Sequence, residues 1–197
     1  CTVQYGVITL HIIATAEDKG KAQRMAKKDE KMLRNILGEL IYGTGEQTLA
    51  EVVGAKLAQQ KKTIAVAESC TGGTLAKLLT DIPGASRYFI YGLITYSNTA
   101  KIKELDVKAD LIEEDGAVSY RIAEAMAQGA RKRAGTDFAI GITGIAGPSG
   151  GSEQKPVGLV YISIDSDSDC ETKRFIFAYG RDFIRLQAAQ TALNMLR

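Results

Sequence analysis

The apolar run Thr63-Ile64-Ala65-Val66-Ala67 passes directly into Glu68-Ser69-Cys70-Thr71-Gly72-Gly73 and then into the helix-patterned Thr74-Leu75-Ala76-Lys77-Leu78-Leu79. A strand that turns at once into a helix belongs to a layered strand–helix architecture, in which helices cover a sheet. The turn also leaves the first N–H groups of the helix without internal partners. Those donors, with the positive end of the helix dipole, favour an anion or a developing oxyanion. Ser69 sits at the turn, and Gly72 and Gly73 let the backbone approach a ligand. The same residues also read as an ordinary Ser/Thr cap with glycines for a tight bend, so the segment alone leaves both readings open.

The rest of the chain extends the strand–helix alternation. Tyr5 to Ala16 is β-branched and partly alternating, which predicts a strand containing His11. Glu17 to Leu37 is charged and helix-forming, with Met25, Met32, Leu33, Ile36 and Leu37 on one side. Tyr42-Gly43-Thr44-Gly45-Glu46 reads as a linker. A strand and a helix alone bury no core, so residues 1–44 read as part of a domain, and the start at Cys1 reads as a fragment boundary. Beyond the linker, helices are predicted from Thr48 to about Gln60, from Thr71 to Thr80, from Ser119 to Ala134 and from Asp182 to Leu196, with a short helix and turn before Gly116. In the Ser119 helix, Ile122, Ala123, Met126, Ala127 and Ala130 face inward. Strands are predicted at 63–67, 87–95, 137–143, 157–164 and 172–179. Interleaved helices and strands followed by a hairpin-like pair predict an α/β fold: a three-layer domain with a mixed β-sheet flanked by helices, preceded by a small β-α segment.

Composition narrows the function. A formal charge of +2, from 25 basic and 23 acidic residues interspersed along the chain, gives no electrostatic case for nucleic acid. The longest apolar-rich run, Tyr88 to Tyr96, is far too short to span a bilayer, and no charged leader precedes an apolar segment. Three scattered cysteines form neither a disulfide framework nor a CxxC pair, which fits a reducing, cytoplasmic setting. The single histidine, His11, lies far from Ser69 in sequence, so no zinc site is expected and a serine nucleophile needs another base.

Three polar clusters follow predicted strands: Ser69 to Gly73, Tyr96 to Lys101 and Thr143 to Gly151. In open α/β sheets the crevice outside the carboxyl ends of the strands is the usual ligand site. Lys101 is the candidate base, because burial lowers a lysine pKa toward neutrality and serine–lysine pairs are an established alternative to serine–histidine. Tyr96 is placed to donate a hydrogen bond or relay a proton between them. The plainer readings are a solvated helix-start lysine and an aromatic at a strand end. Thr143 with Gly144, Gly147, Gly150 and Gly151 offers backbone N–H groups to a phosphate or sugar. Arg181 and Arg185, one helical turn apart, share a face and can fork onto an anion. Cys70 reads as a buried neighbour of Ser69, and Lys155 is ambiguous.

The segments AESCTGG at 67–73, ITYSNTAK at 94–101, GAVS at 116–119, GITGIAGPSGGSEQKPVG at 141–158 and GRDFIR at 180–185 resemble the CinA C-terminal domain family, which includes PncC-like nicotinamide-nucleotide amidases. The resemblance runs from about Leu49 to Leu196, giving a division into a partial KH-like segment and linker at 1–44 and an amidase-like domain at 45–197. Residues 1–44 resemble, more distantly, the second half of the KH-like middle segment of full-length CinA proteins. The first domain of those proteins has no counterpart here, and its pyrophosphatase activity is not carried over. The resemblance implies hydrolysis of the carboxamide of nicotinamide mononucleotide to nicotinate mononucleotide and ammonia. It implies Ser69 as nucleophile, Lys101 as base, Tyr96 as supporting residue and Thr143 and Arg185 as substrate-binding positions. Cys70, Thr71, Gly72, Gly73 and Gly144, in the Ser69 and Thr143 clusters, are read beside them as further substrate-binding residues. At Tyr179-Gly180-Arg181 the chain lacks an acidic residue common in the family, so Arg181 stays unassigned. Neither metal nor organic cofactor is required. The expected partners are a small-molecule nucleotide and further copies of the chain, without nucleic acid or membrane. A nucleotide-binding or regulatory module without turnover is the alternative. A nucleic-acid role for 1–44 rests on the KH-like resemblance alone, and that segment has no GxxG loop.

Overall fold

In the computed structural model, which describes residues 1–197, the chain forms two compact units, Cys1–Thr48 and Leu49–Arg197. The first unit contains an antiparallel hairpin, β1 (Thr2–Gln4) and β2 (Val7–Thr9), and a helix, α1 (Lys19–Leu37). The strand expected over 5–16 is corrected by this hairpin. Tyr5 (φ 50°) and Gly6 (φ 83°) form its two-residue turn, because positive φ at both central positions matches the twist of paired strands. Residues 10–16, including His11, lie beyond the paired strand. His11 Nε2 meets Thr2 Oγ1 at 3.2 Å. Asp18 caps α1 by accepting from the Lys21 N–H at 2.8 Å. No residue of this unit is buried, as expected for three-residue strands and one helix with no second layer over them.

The second unit is an α/β domain. In order it comprises α2 (Leu49–Gln60), β3 (Ile64–Glu68), α3 (Thr74–Thr80), β4 (Phe89–Ile94), α4 (Asn98–Leu105), α5 (Ala109–Asp115), α6 (Tyr120–Ala134), β5 (Phe138–Gly144), β6 (Leu159–Ser166), β7 (Cys170–Ile176) and α7 (Arg181–Leu196). The sheet order is β4-β3-β5-β6-β7, with β4, β3 and β5 parallel and the last two strands antiparallel. This is the mixed, helix-flanked sheet expected from the sequence. The segment before Gly116 is two helices rather than one, divided at Asp106, whose φ of 56° ends α4.

Alternation along the strands decides which helix each side chain meets. Ala65 and Ala67 of β3, Ala139 of β5 and Tyr91 and Leu93 of β4 pack against Ile122, Met126 and Ala130 of α6. On the other face α3 packs with α7, and α7 with β6. Ser119 caps α6, accepting from the Ile122 N–H at 3.3 Å, and the five positions expected to face inward are all fully buried. Gly141 is required where α6 crosses β5, since a Cβ there would lie 2.3 Å from the Ala123 carbonyl oxygen. No helix is long and apolar enough to cross a membrane.

The starting ends of β3 and β5 are tied by Asp137. Its carboxylate accepts from Thr63 N–H (2.8 Å), Thr63 Oγ1 (2.9 Å) and Lys62 Nζ (2.7 Å). These bonds, the Lys62 bond foremost, lower its pKa to about 2. A carboxyl held below its unfolded value stabilises the fold above that value, and the stabilisation is lost as pH falls through the folded value. Asp137→Asn is therefore expected to lower Tm at pH 7 by about 2–4 °C, the shift accompanying about 1 kcal/mol in a domain of this size. The gap from wild type should close in thermal melts between pH 4 and pH 2. A gap constant with pH would contradict the assignment.

Candidate active site

Parallel pairing carries the ends of three strands to one edge. Ser69 N–H donates to the Ile142 carbonyl at 2.9 Å and Thr95 N–H to the Glu68 carbonyl at 2.9 Å, so the ladder runs one residue past the strands. Thr95 and Ser69, just past β4 and β3, therefore stand side by side with Thr143 near the end of β5. Ser97 caps α4, accepting from the Ala100 N–H at 3.1 Å, and sets Lys101 one turn into a helix that packs on α6. That placement sends the lysine side chain back under the strand ends.

Lys101 is 1% exposed, a burial that a lysine tolerates only with its donors satisfied. Its Nζ donates to Ser69 Oγ (3.1 Å), the Thr95 carbonyl (2.8 Å) and the Tyr96 carbonyl (3.2 Å). All three acceptors are uncharged. Burial accordingly lowers the Lys101 pKa to about 8, against a smaller opposing effect from Cys70. At that value a substantial share of the amine is neutral near pH 7–8 and has a lone pair for the Ser69 proton.

The turn carrying Ser69 is clamped from both sides. Glu68, fully buried, turns its carboxylate onto the start of α3 and accepts from the N–H groups of Gly73 (3.0 Å), Leu75 (3.1 Å) and Ala76 (2.8 Å). The helix N-terminus expected to be open to an anion is thus already occupied by the protein's own carboxylate. Of the turn's other N–H groups, those of Gly72 and Thr74 reach the carbonyls of Ser69 and Thr71. The Cys70 and Thr71 N–H groups have no carbonyl partner and lie against the Cys70 sulfur. Arg185 holds the far side, donating from Nε and Nη2 to the Thr71 carbonyl at 3.1 and 2.9 Å. Gly72, at φ 58°, makes room: a Cβ there would sit 3.0 Å from Arg185 Nη2.

The remaining sequence candidates surround this centre in specific ways. The Cys70 thiol is buried and its pKa is pushed up to about 12, chiefly by burial, which disfavours the thiolate that a cysteine nucleophile requires. Gly144 adjoins it: a Cβ there would come within 3.0 Å of the Cys70 sulfur. Thr143 Oγ1 donates to the Ala117 carbonyl at 2.7 Å, which ties the 116–119 segment to the strand end. Lys155 Nζ braces the same segment through the carbonyls of Asp115 (2.6 Å) and Val118 (2.8 Å). Tyr96 meets the lysine through its carbonyl, not its phenol. Its hydroxyl instead accepts from Arg181 Nη2 at 3.0 Å, and Arg181 Nη1 reaches the Gly147 carbonyl at 2.7 Å. Arg181, unassigned from the sequence, thereby bridges two of the three polar clusters. A shallow surface depression lined by Val53, Leu57, Phe138 and Leu196 among others lies at the opposite end of β5 and includes none of these residues.

Sequence reasoning missed Glu68 as a structural element of the site. The available signal was an acidic residue directly before a strand-to-helix turn, where a carboxylate is favoured by the free N–H groups and the dipole.

Fold and site together define an α/β domain with a buried lysine amine hydrogen-bonded to a serine at the carboxyl edge of a mixed sheet. The chain belongs to the CinA family, matching its C-terminal domain over residues 46–197. It is 46% identical over 192 residues to a CinA-like protein of Syntrophomonas wolfei, covering 98% of this chain and 46% of that protein. The chain spans about half the length of the curated relatives it matches. Among solved structures, competence/damage inducible protein CihA from Agrobacterium tumefaciens is 37% identical with a TM-score of 0.72, covering 78% of this chain and 97% of that one. A CinA superfamily protein of Escherichia coli is 30% identical with a TM-score of 0.72, covering 81% of this chain and 96% of that one.

Glu68→Ala leaves three N–H groups at the start of α3 without their acceptor and is expected to remove about 2–4 kcal/mol of stability. Urea unfolding should show a lower midpoint at unchanged m. An unchanged midpoint would contradict the clamp.

Proposed function

We propose that the second unit is a nicotinamide-nucleotide amidase, hydrolysing the carboxamide of nicotinamide mononucleotide to nicotinate mononucleotide and ammonia. The observation that carries this reading is the 3.1 Å contact between Lys101 Nζ and Ser69 Oγ within a buried, uncharged set of acceptors. The resemblance of the surrounding motifs to nicotinamide-nucleotide amidases supports the choice of substrate.

In this reading neutral Lys101 takes the Ser69 proton as Oγ attacks the carboxamide carbon. The carbonyl oxygen becomes an oxyanion, and the Cys70 and Thr71 N–H groups are the donors of the turn not committed to a carbonyl or to Glu68. Protonated Lys101 then gives its proton to the departing nitrogen, the C–N bond breaks, and ammonia leaves an acyl-serine. Water adds to that ester with Lys101 again as base, releasing the acid and restoring Ser69. Tyr96 holds the amine through its main-chain carbonyl. Arg185 has Nη1 engaged only with the exposed Asp182, at 3.9 Å, and so retains a donor for the substrate's anionic end. Nothing in this sequence of steps needs a metal or an organic cofactor.

Ammonia release from nicotinamide mononucleotide, compared with free nicotinamide, tests the proposal. Ser69→Ala should abolish release while the nucleotide still binds in calorimetry; retained turnover would exclude the mechanism. The base must be neutral, so kcat/KM should rise with pH through about 8, the Lys101 value, and level off above it. Lys101→Arg, which keeps its proton at any working pH, should be inactive across the range. A rate independent of pH from 6 to 10 would rule out Lys101 as the base.

A further inference from the structure

Thr71 Oγ1 and Thr95 Oγ1 are buried threonine hydroxyls without a hydrogen-bond partner. Such groups are uncommon in native proteins, and a role in chemistry is one reason to keep one. Thr95 is the more telling. It is 1% exposed, its N–H is bound to the Glu68 carbonyl, and its own carbonyl holds the Lys101 amine at 2.8 Å. Its backbone is therefore fully engaged and its side chain has a set direction. Tyr91 and Leu93 face α6 from β4, as Ala65 and Ala67 do from β3. Two residues further along, alternation puts Thr95 and Ser69 on that same face. They sit on neighbouring strands, at a spacing of about 4.8 Å. Thr143, at the same level on β5, already donates its hydroxyl proton to Ala117. Thr95 is thus the threonine of this row whose proton is uncommitted.

We propose that Thr95 is a third catalytic residue beside Ser69 and Lys101: its main chain holds the amine, and its hydroxyl, unpaired at rest, donates to Ser69 Oγ as that oxygen loses its proton to Lys101. The threonine O–H bond stays intact throughout. The only proton transferred passes from Ser69 to Lys101, and the Thr95 hydrogen bond steadies the negative charge developing on Oγ. The inference rests on the serine–lysine reading above.

The experiment compares wild type, Thr95→Val, Thr95→Ser and Ser69→Ala. The full chain is reacted with a fluorophosphonate, labelling at Ser69 is followed by intact mass, and the thermal midpoint of each protein is measured. Thr95→Val keeps the shape and removes the hydroxyl. It should label about 10- to 100-fold more slowly than wild type, with a matching fall in kcat for ammonia release and an unchanged KM. Thr95→Ser should stay within about threefold of wild type, because the donor is retained. The Thr95→Val midpoint should equal or exceed that of wild type, since no hydrogen bond is lost with an unpaired group. Equal labelling of Thr95→Val and wild type would overturn the inference and leave the amidase reading standing. A lowered midpoint for Thr95→Val would also overturn it, by showing that the hydroxyl serves the fold. A wild-type chain that leaves Ser69 unlabelled would overturn the amidase reading and this inference with it.

Discussion

A lysine amine buried among uncharged oxygens is the constraint on which the candidate site depends. Three N–H donors meet three acceptors, Ser69 Oγ and the carbonyls of Thr95 and Tyr96, and no carboxylate enters the set. A carboxylate partner would hold the ammonium charged and raise its pKa. Neutral acceptors leave desolvation as the dominant influence, and desolvation favours the neutral amine. The arrangement satisfies the charged form well enough for the fold to exist while keeping deprotonation within reach of neutral pH. In the proposed mechanism a serine and a lysine take on the working relation that a histidine supplies elsewhere, in a chain whose one histidine lies outside this domain.

That relation needs a stationary serine. Glu68 fixes the start of α3 from beneath, Arg185 grips the Thr71 carbonyl from α7, and the parallel ladder continues through Ser69 into β5. Three separate elements therefore determine the turn. Arg181 and Lys155 do the same for the surrounding loops, joining Gly147 to the Tyr96 hydroxyl and bracing the 115–118 carbonyls. Cationic side chains here serve mainly as donors to main-chain carbonyls. Such bonds lock loop geometry without requiring a second charged residue beneath the surface.

Features governed by local periodicity were legible in the sequence. The inward face of α6, its serine cap, the mixed sheet and the gathering of polar clusters at strand ends follow from apolar spacing and from glycine placement. The Ser69–Lys101 contact was legible as chemistry, since a serine at a strand exit without a nearby histidine needs an amine. Features set by tertiary partners were not. Tyr5 adopts a positive φ that a bulky residue rarely takes, so the β1–β2 turn was hidden inside an apparently continuous strand. The Tyr96 phenol turns to Arg181, 85 residues away, and only the fold brings that guanidinium near. Glu68 lies beside Ser69 in the sequence, yet its direction follows from strand alternation, which sends Ser69 to one face of the sheet and its neighbour to the other.

The state of the Lys101 amine is the most direct test of the whole account. Selective isotopic labelling of lysine side chains, with the Lys101 resonance assigned by its loss in a Lys101 variant, allows its titration to be followed by NMR. The account requires a midpoint near 8, as burial among neutral acceptors dictates. A Lys101 resonance that titrates at the ordinary lysine value of about 10.4 would contradict it, because the amine would then remain charged and unable to accept the serine proton at working pH.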